Sequence, residues 1–219
     1  TDGATARALR RYFEAADQFP RDVAELIHYF EPAVENQAVR AVPGAGLRVP
    51  IWLLGSSLFS AQLAGQLGLP YAFASHFAPE LLLEALALYR RSFTPSDRLA
   101  QPHAMAAINV FAADTDAEGV RLSTSMQQSF ARLSTGKPGK LPPPVDDITT
   151  VLTPQQIEGA KGRLLYSAIG GPETVRTQLA DFIALTQVDE LMVTGMAFDN
   201  AARIRSLEIV AEVREQLAA

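Results

Sequence analysis

The sequence predicts an α/β protein built on a parallel sheet. Strand-length apolar runs that do not alternate with polar residues recur along the chain, and amphipathic, helix-length segments separate them. Glycine, proline and serine punctuate the junctions between the two.

The elements follow in order. Asp2 or Thr5 is placed to cap a first helix over about 4–16, which breaks before Phe19-Pro20. A second helix is expected over 21–30, ending at Glu31-Pro32, because proline disfavours helix in the residue before it. "VPGAG" at 42–46 reads as a loop, and 49–54 is the first strand. A helix over 57–66 follows, with Gly68 just past its end, then a short strand over 71–74. The segment 79–91 is the next helix, with proline in its first turn and arginines at its end. A strand over 104–112 and a helix over 115–133 make the third pair. After a helical piece around 154–161 come a helix over 172–185, a strand over 190–194 and a helix over 200–216. Four strands are expected in all. The irregular stretch "STGKPGKLPPPVDD" at 134–147 has two readings, a lid over a site and a plain surface loop.

Composition narrows the function classes. The 219 residues carry a net charge of −5, and the densest basic cluster, Arg7, Arg10 and Arg11, is followed by Glu14 and Asp17. That is a solvated helix face, and nucleic acid is not expected as a partner. There is no cysteine, and His28, His76 and His103 lack metal-ligand spacing, so neither a disulfide nor a metal is expected. No apolar run has the length of a membrane span and no signal peptide opens the chain, which points to a cytoplasmic protein.

Two strand ends carry the candidate chemistry. In "WLLGSSLFSA" at 52–61 a strand runs into Gly55, Ser56 and Ser57 and then a helix with Ser60 in its first turn. A helix start leaves its first amides unpaired and concentrates about half a positive charge there. Together with three hydroxyls and a glycine that permits close approach, this suits a phosphate; simple serine capping is the other reading. It is neither a nucleotide-binding P-loop nor a hydrolase elbow, since no lysine follows and Leu58 stands where the second glycine would be. The second strand end, Ala74-Ser75-His76-Phe77, combines small residues that admit a flat ring with a histidine able to move a proton. A structural histidine is the alternative there.

The run "PIWLLGSSLFSAQLAGQLGLPYAFASHFAPELLLEALALYRRSF" resembles the luciferase-like flavin-dependent monooxygenases, and "INVFAADTDAEGVRLS", "IGGPETVRTQLADF" and "VDELMVTGMAFDNAARIRSLEIVAE" resemble later elements of the same family in the same order. The resemblance implies a (β/α)₈ TIM barrel, of which this chain is the second half, strands five to eight with their helices. It implies reduced FMN as cofactor, supplied by a separate NAD(P)H-dependent flavin reductase, with molecular oxygen and a small organic molecule as co-substrates.

By that resemblance Gly55, Ser56, Ser57 and Ser60 hold the phosphate. Ala74, Ser75 and the catalytic His76 lie near the flavin ring, Thr194 and Gly195 touch ring or substrate, and 134–147 is a mobile segment of the single domain over the site. A homodimer is implied as well, although "LLLEALAL" at 81–88 is equally explained by core burial. A non-catalytic FMN- or phosphate-binding relative is the alternative. Only about 48 residues precede the expected fifth strand, and they read as helical. With Thr1 at the start, a piece of a longer polypeptide is expected.

Overall fold

A computed structural model of the chain describes residues 3–8 and 17–217. The protein divides into two compact units, residues 1–51 and 52–219.

The first unit holds α1 (Gly3–Ala8) and α2 (Phe19–Phe30). Thr5 lies inside α1 rather than at its cap, while Asp2 and residues 9–16, including Arg10, Arg11 and Glu14, fall outside the described residues. Helix α2 begins two residues earlier than expected because Pro20 fits its first turn, and it ends at Phe30, with Glu31 extended before Pro32 as the proline dictates. Its last carbonyls are taken up by the loop that follows, where the amides of Gly46 and Arg48 both donate to the Phe30 carbonyl. Gly46 reaches that position with a φ of 84°, a conformation suited to glycine.

The second unit is a parallel sheet with helices. In chain order it contains β1 (Leu53–Gly55), α3 (Leu58–Gln66), β2 (Tyr71–Phe73), α4 (Leu82–Ser92), β3 (Ala104–Ala112), α5 (Asp116–Ser134), α6 (Pro154–Arg163), β4 (Ser167–Gly170), α7 (Pro172–Thr186), β5 (Glu190–Thr194) and α8 (Asn200–Leu217). The sheet has five strands where the sequence reading gave four: β4 is the addition. It pairs with the carboxyl half of β3, Asn109 to Ala112, while β2 pairs with the amino half and β5 with Met105 to Asn109. Strand β1 is shorter than 49–54, since its ladder to β2 starts only at Leu53 opposite Tyr71.

Side chains alternate across a strand, so the register sorts them into two faces. Leu53, Tyr71, Phe73, Ala104, Ala106 and Ile108 form the buried face. The other face carries Leu54, Ala72, Met105, Ala107, Asn109, Met192 and Thr194. On this second face Leu54 is 68% exposed and Met192 52%, while Ala107 and Asn109 are buried. Higher up, Phe111 and Ile169 continue the same face under α5 and α6, packed with Leu122, Met126, Phe130 and Leu164.

At the amino end His103 Nε2 lies 2.7 Å from Glu190 Oε1, tying β3 to β5. No helix among the described residues is long and apolar enough to cross a membrane.

The start of α5 is fastened to the end of β4. The Gly171 amide donates to Asp116 Oδ1 at 2.6 Å, and this bond, with a second from the Thr174 hydroxyl, holds the Asp116 carboxyl below the usual carboxylate range. A carboxyl depressed on folding stabilises the fold above its unfolded value of about pH 4 and loses that effect as pH falls through the folded value. Replacing Asp116 by Asn should therefore flatten the acid limb of a melting-temperature-against-pH curve below about pH 4. An unchanged acid limb would place the titrating group elsewhere.

Candidate functional site

Strand β1 ends at Gly55, and α3 starts three residues later with Ser57 in the N-cap position. The backbone of Ser57 is extended and its hydroxyl makes no capping bond, so the first amides of α3 meet no side chain from their own cap. Ser56 and Ser57 are exposed beside those amides. Ser60 is turned the other way: buried, it donates to the Ser57 carbonyl at 2.9 Å and lies 3.4 Å from the Tyr71 hydroxyl. Gly55 makes room for it, because a Cβ at Gly55 would stand 2.0 Å from Ser60 Oγ. The four residues thus come together, with Ser56, Ser57 and the helix amides facing outward and Ser60 shaping the turn from within.

The exit of β2 lies alongside. The Ala74 amide donates to the Gly55 carbonyl at 2.9 Å, which joins the two strand ends directly. Three successive residues are then fixed by three different groups. Ser75 Oγ donates to the Ala107 carbonyl at 2.5 Å, Asn109 Nδ2 donates to the His76 carbonyl at 2.8 Å, and Arg163 Nη1 donates to the Phe77 carbonyl at 3.3 Å. The His76 ring itself is left over: its Nδ1 is buried and has no hydrogen-bond partner. Burial pushes the imidazole below its ordinary range, so the ring is neutral at pH 7. A buried polar atom without a partner is uncommon, and among the described residues the Ser125 and Ser167 hydroxyls share that condition. Phe77, half exposed, stands next to it as an apolar wall.

Strand β5 brings the third group of residues. Thr194 is in register with Asn109, on the same face and at the level of His76. Gly195 follows where β5 runs close to β3, since a Cβ there would meet the Val110 carbonyl oxygen at 2.4 Å. The carboxyl ends of β1, β2 and β5 therefore gather all the expected site residues at one end of the sheet, where ligands of parallel α/β proteins sit.

A hollow of about 210 Å³ lies apart from these residues. It is lined by Ala112, Asp114, Glu118, Leu122, Ala202 and Arg205 and shares none of them. The Arg205 guanidinium there is already paired with Asp114, Glu208 and Glu212. His76 is not among the residues that line this hollow.

Asn109 and Arg163 were not singled out by the sequence reading. Asn109 had a legible signal, since it is the only polar residue in the strand "AMAAINVFA". Arg163 had none, because its partner lies 86 positions away.

A model of the luciferase-like monooxygenases matches residues 27–190, which span β1 to the first residue of β5 and so most of the site just described. The chain belongs to that family. A luciferase-like monooxygenase of Escherichia coli (strain K12) is 48% identical over 218 residues, 99% of this chain and 65% of the relative. The uncharacterized protein YvbT of Bacillus subtilis (strain 168) is 50% identical over 215 residues, 97% of this chain and 64% of the relative. Among solved structures, apo-MsnO8 superposes with a TM-score of 0.73 at 30% identity, over 91% of this chain and 60% of that one. The chain thus spans about 65% of the length of the curated relatives it matches.

Proposed function

We propose that the chain is the second half of a (β/α)₈ barrel of a flavin-dependent monooxygenase that uses reduced FMN and molecular oxygen on a small organic substrate. In this reading β1, β2, β3 and β5 are the fifth to eighth barrel strands, and β4 is an accessory to the seventh. The observation that carries the reading is the junction of two features on neighbouring strands: an α3 start with no side-chain cap, and the partnerless His76 nitrogen. They are linked by the Ala74–Gly55 backbone bond.

The residues fit FMN in two places. Ser56, Ser57 and the first amides of α3 offer donors and a positive dipole end to a phosphate. Ala74 leaves a low surface for a flat ring over the buried Ser75, and Thr194 and Gly195 lie at the same level from β5. When bound, reduced FMN supplies the electrons for oxygen chemistry.

The chain's own part is to bind, orient and shield. Ser57 and Ser56 grip the anionic end, His76 Nδ1 accepts or donates one hydrogen bond at the ring or substrate, and Phe77 keeps water from that side. The segment 134–147 acts as a mobile cover. Its far end is tied to α5, where Gln128 Nε2 donates to the Pro143 carbonyl and the Val145 amide donates to Thr124 Oγ1. A separate NAD(P)H-dependent flavin reductase supplies the cofactor, and the working protein is a homodimer.

The exposure of Leu54 and Met192 favours one other reading, a binding form that holds FMN or another phosphate ligand without turnover, because an open face admits water. Dioxygen uptake by the intact polypeptide with chemically reduced FMN and a panel of small organic substrates separates the two. Substrate-dependent uptake above a flavin-only control is expected. Bound FMN with no extra uptake would select the binding form, and no FMN binding would overturn both.

A further inference from the structure

The amide side chain of Asn109 sits in the middle of β3, 2% exposed, with Thr194 and Ser167 in register on the neighbouring strands. Burying an amide in an otherwise apolar strand costs free energy unless its donors and acceptors find partners. Its Nδ2 reaches across to the carbonyl of His76, the residue whose own ring has an unpartnered buried nitrogen. This bond is not needed to close the turn. The amides of Phe77 and Ala78 already return to the Ala74 carbonyl, and Ser75 is locked to Ala107. The added effect of the Asn109 bond is to fix the peptide plane at His76, and with it the origin of the imidazole. Arg163 does the same one residue later, so the main chain at 75–77 has little freedom left.

We infer that Asn109 is a positioning residue for His76: by holding the His76 carbonyl it sets the direction in which the imidazole meets a ligand bound at the end of the sheet. This rests on the proposal that FMN binds there, and the two can fail separately.

The test follows the His76 ring by NMR in protein with isotopically labelled histidine; only three histidines are present, and His76→Gln identifies the signal. Asn109→Leu keeps the approximate shape and removes the donor, and Asn109→Ser is made alongside it as a smaller polar replacement. In the unaltered chain, added FMN should shift the His76 ring signal. In either Asn109 variant that shift should fall by at least half and the His76 titration midpoint should rise, while the His28 and His103 signals stay in place. FMN affinity should remain within threefold, because Ser56 and Ser57 are untouched.

A His76 signal that titrates and responds to FMN equally in the folded variants overturns the positioning role. A His76 signal that ignores FMN in the unaltered chain overturns the placement of FMN, while the titration midpoint still decides the role of Asn109.

Discussion

On the proposed placement of FMN, Ser57→Asp should lower the affinity of the chain for FMN by more than tenfold, read as the midpoint of a flavin fluorescence titration. Ser57 is exposed in the N-cap position of α3 and its hydroxyl does not cap the helix, so it is free to face an incoming anion. A carboxylate at that position would itself satisfy the amides of the first turn, as aspartate caps commonly do, and would set a negative charge against the phosphate. Both effects oppose binding, and tenfold corresponds to about 1.4 kcal/mol, a modest demand on two charges in contact. The fold should be unharmed, since aspartate is as good a cap as serine. Unchanged affinity would show that the phosphate lies elsewhere.

Gly119→Val should cost at least about 3 kcal/mol of stability in chemical denaturation, at the upper end of what overpacking produces. Gly119 lies in the second turn of α5, where a Cβ would stand 2.7 Å from the Cα and amide nitrogen of Gly170 on β4. The obstacle is backbone, and that backbone cannot retreat. The Ala113 amide donates to the Gly170 carbonyl, and the Gly171 amide donates to Asp116. Gly159→Ala in α6 is the control, for nothing lies within 4 Å of a Cβ there. It should raise stability by up to about 1 kcal/mol through helix propensity alone. A valine at 119 that is no worse than this control would contradict the close helix–strand contact.

How much of this was legible in the sequence depended on whether an element's residues declare its partner. Strand β3 was read with its true ends, because nine residues with one polar member fit only a doubly buried strand. Helices α5 and α6 were placed within a residue or two, and their starts are capped by the side chains of Thr115 and Thr153. Strand β4 was missed: "SAIG" is only four residues long, and its ladder to Asn109–Ala112 makes it a strand. Strand β1 was drawn too long for the converse reason, since Val49 and Pro50 are apolar but have no ladder partner among the described residues. Helix α4 begins at Leu82 rather than Pro79, after a turn in which the Leu82 amide donates to the Pro79 carbonyl.

The site followed the same rule. The outward serines and His76 were visible as residue types at strand ends. That Ser60 turns inward, and that Asn109 holds the histidine's carbonyl, depends on neighbours 11 and 33 positions away, and no local pattern reports such distances.

Strand β3 is hydrogen-bonded to β2, β4 and β5, while β1 reaches it only through β2. Such a sheet has a hub and no alternative route around it. Damage to a peripheral strand is local, whereas loosening the hub separates β4 and β5 from the β1–β2 pair. Whether the sheet melts as one cooperative unit is accordingly governed by the nine residues of β3.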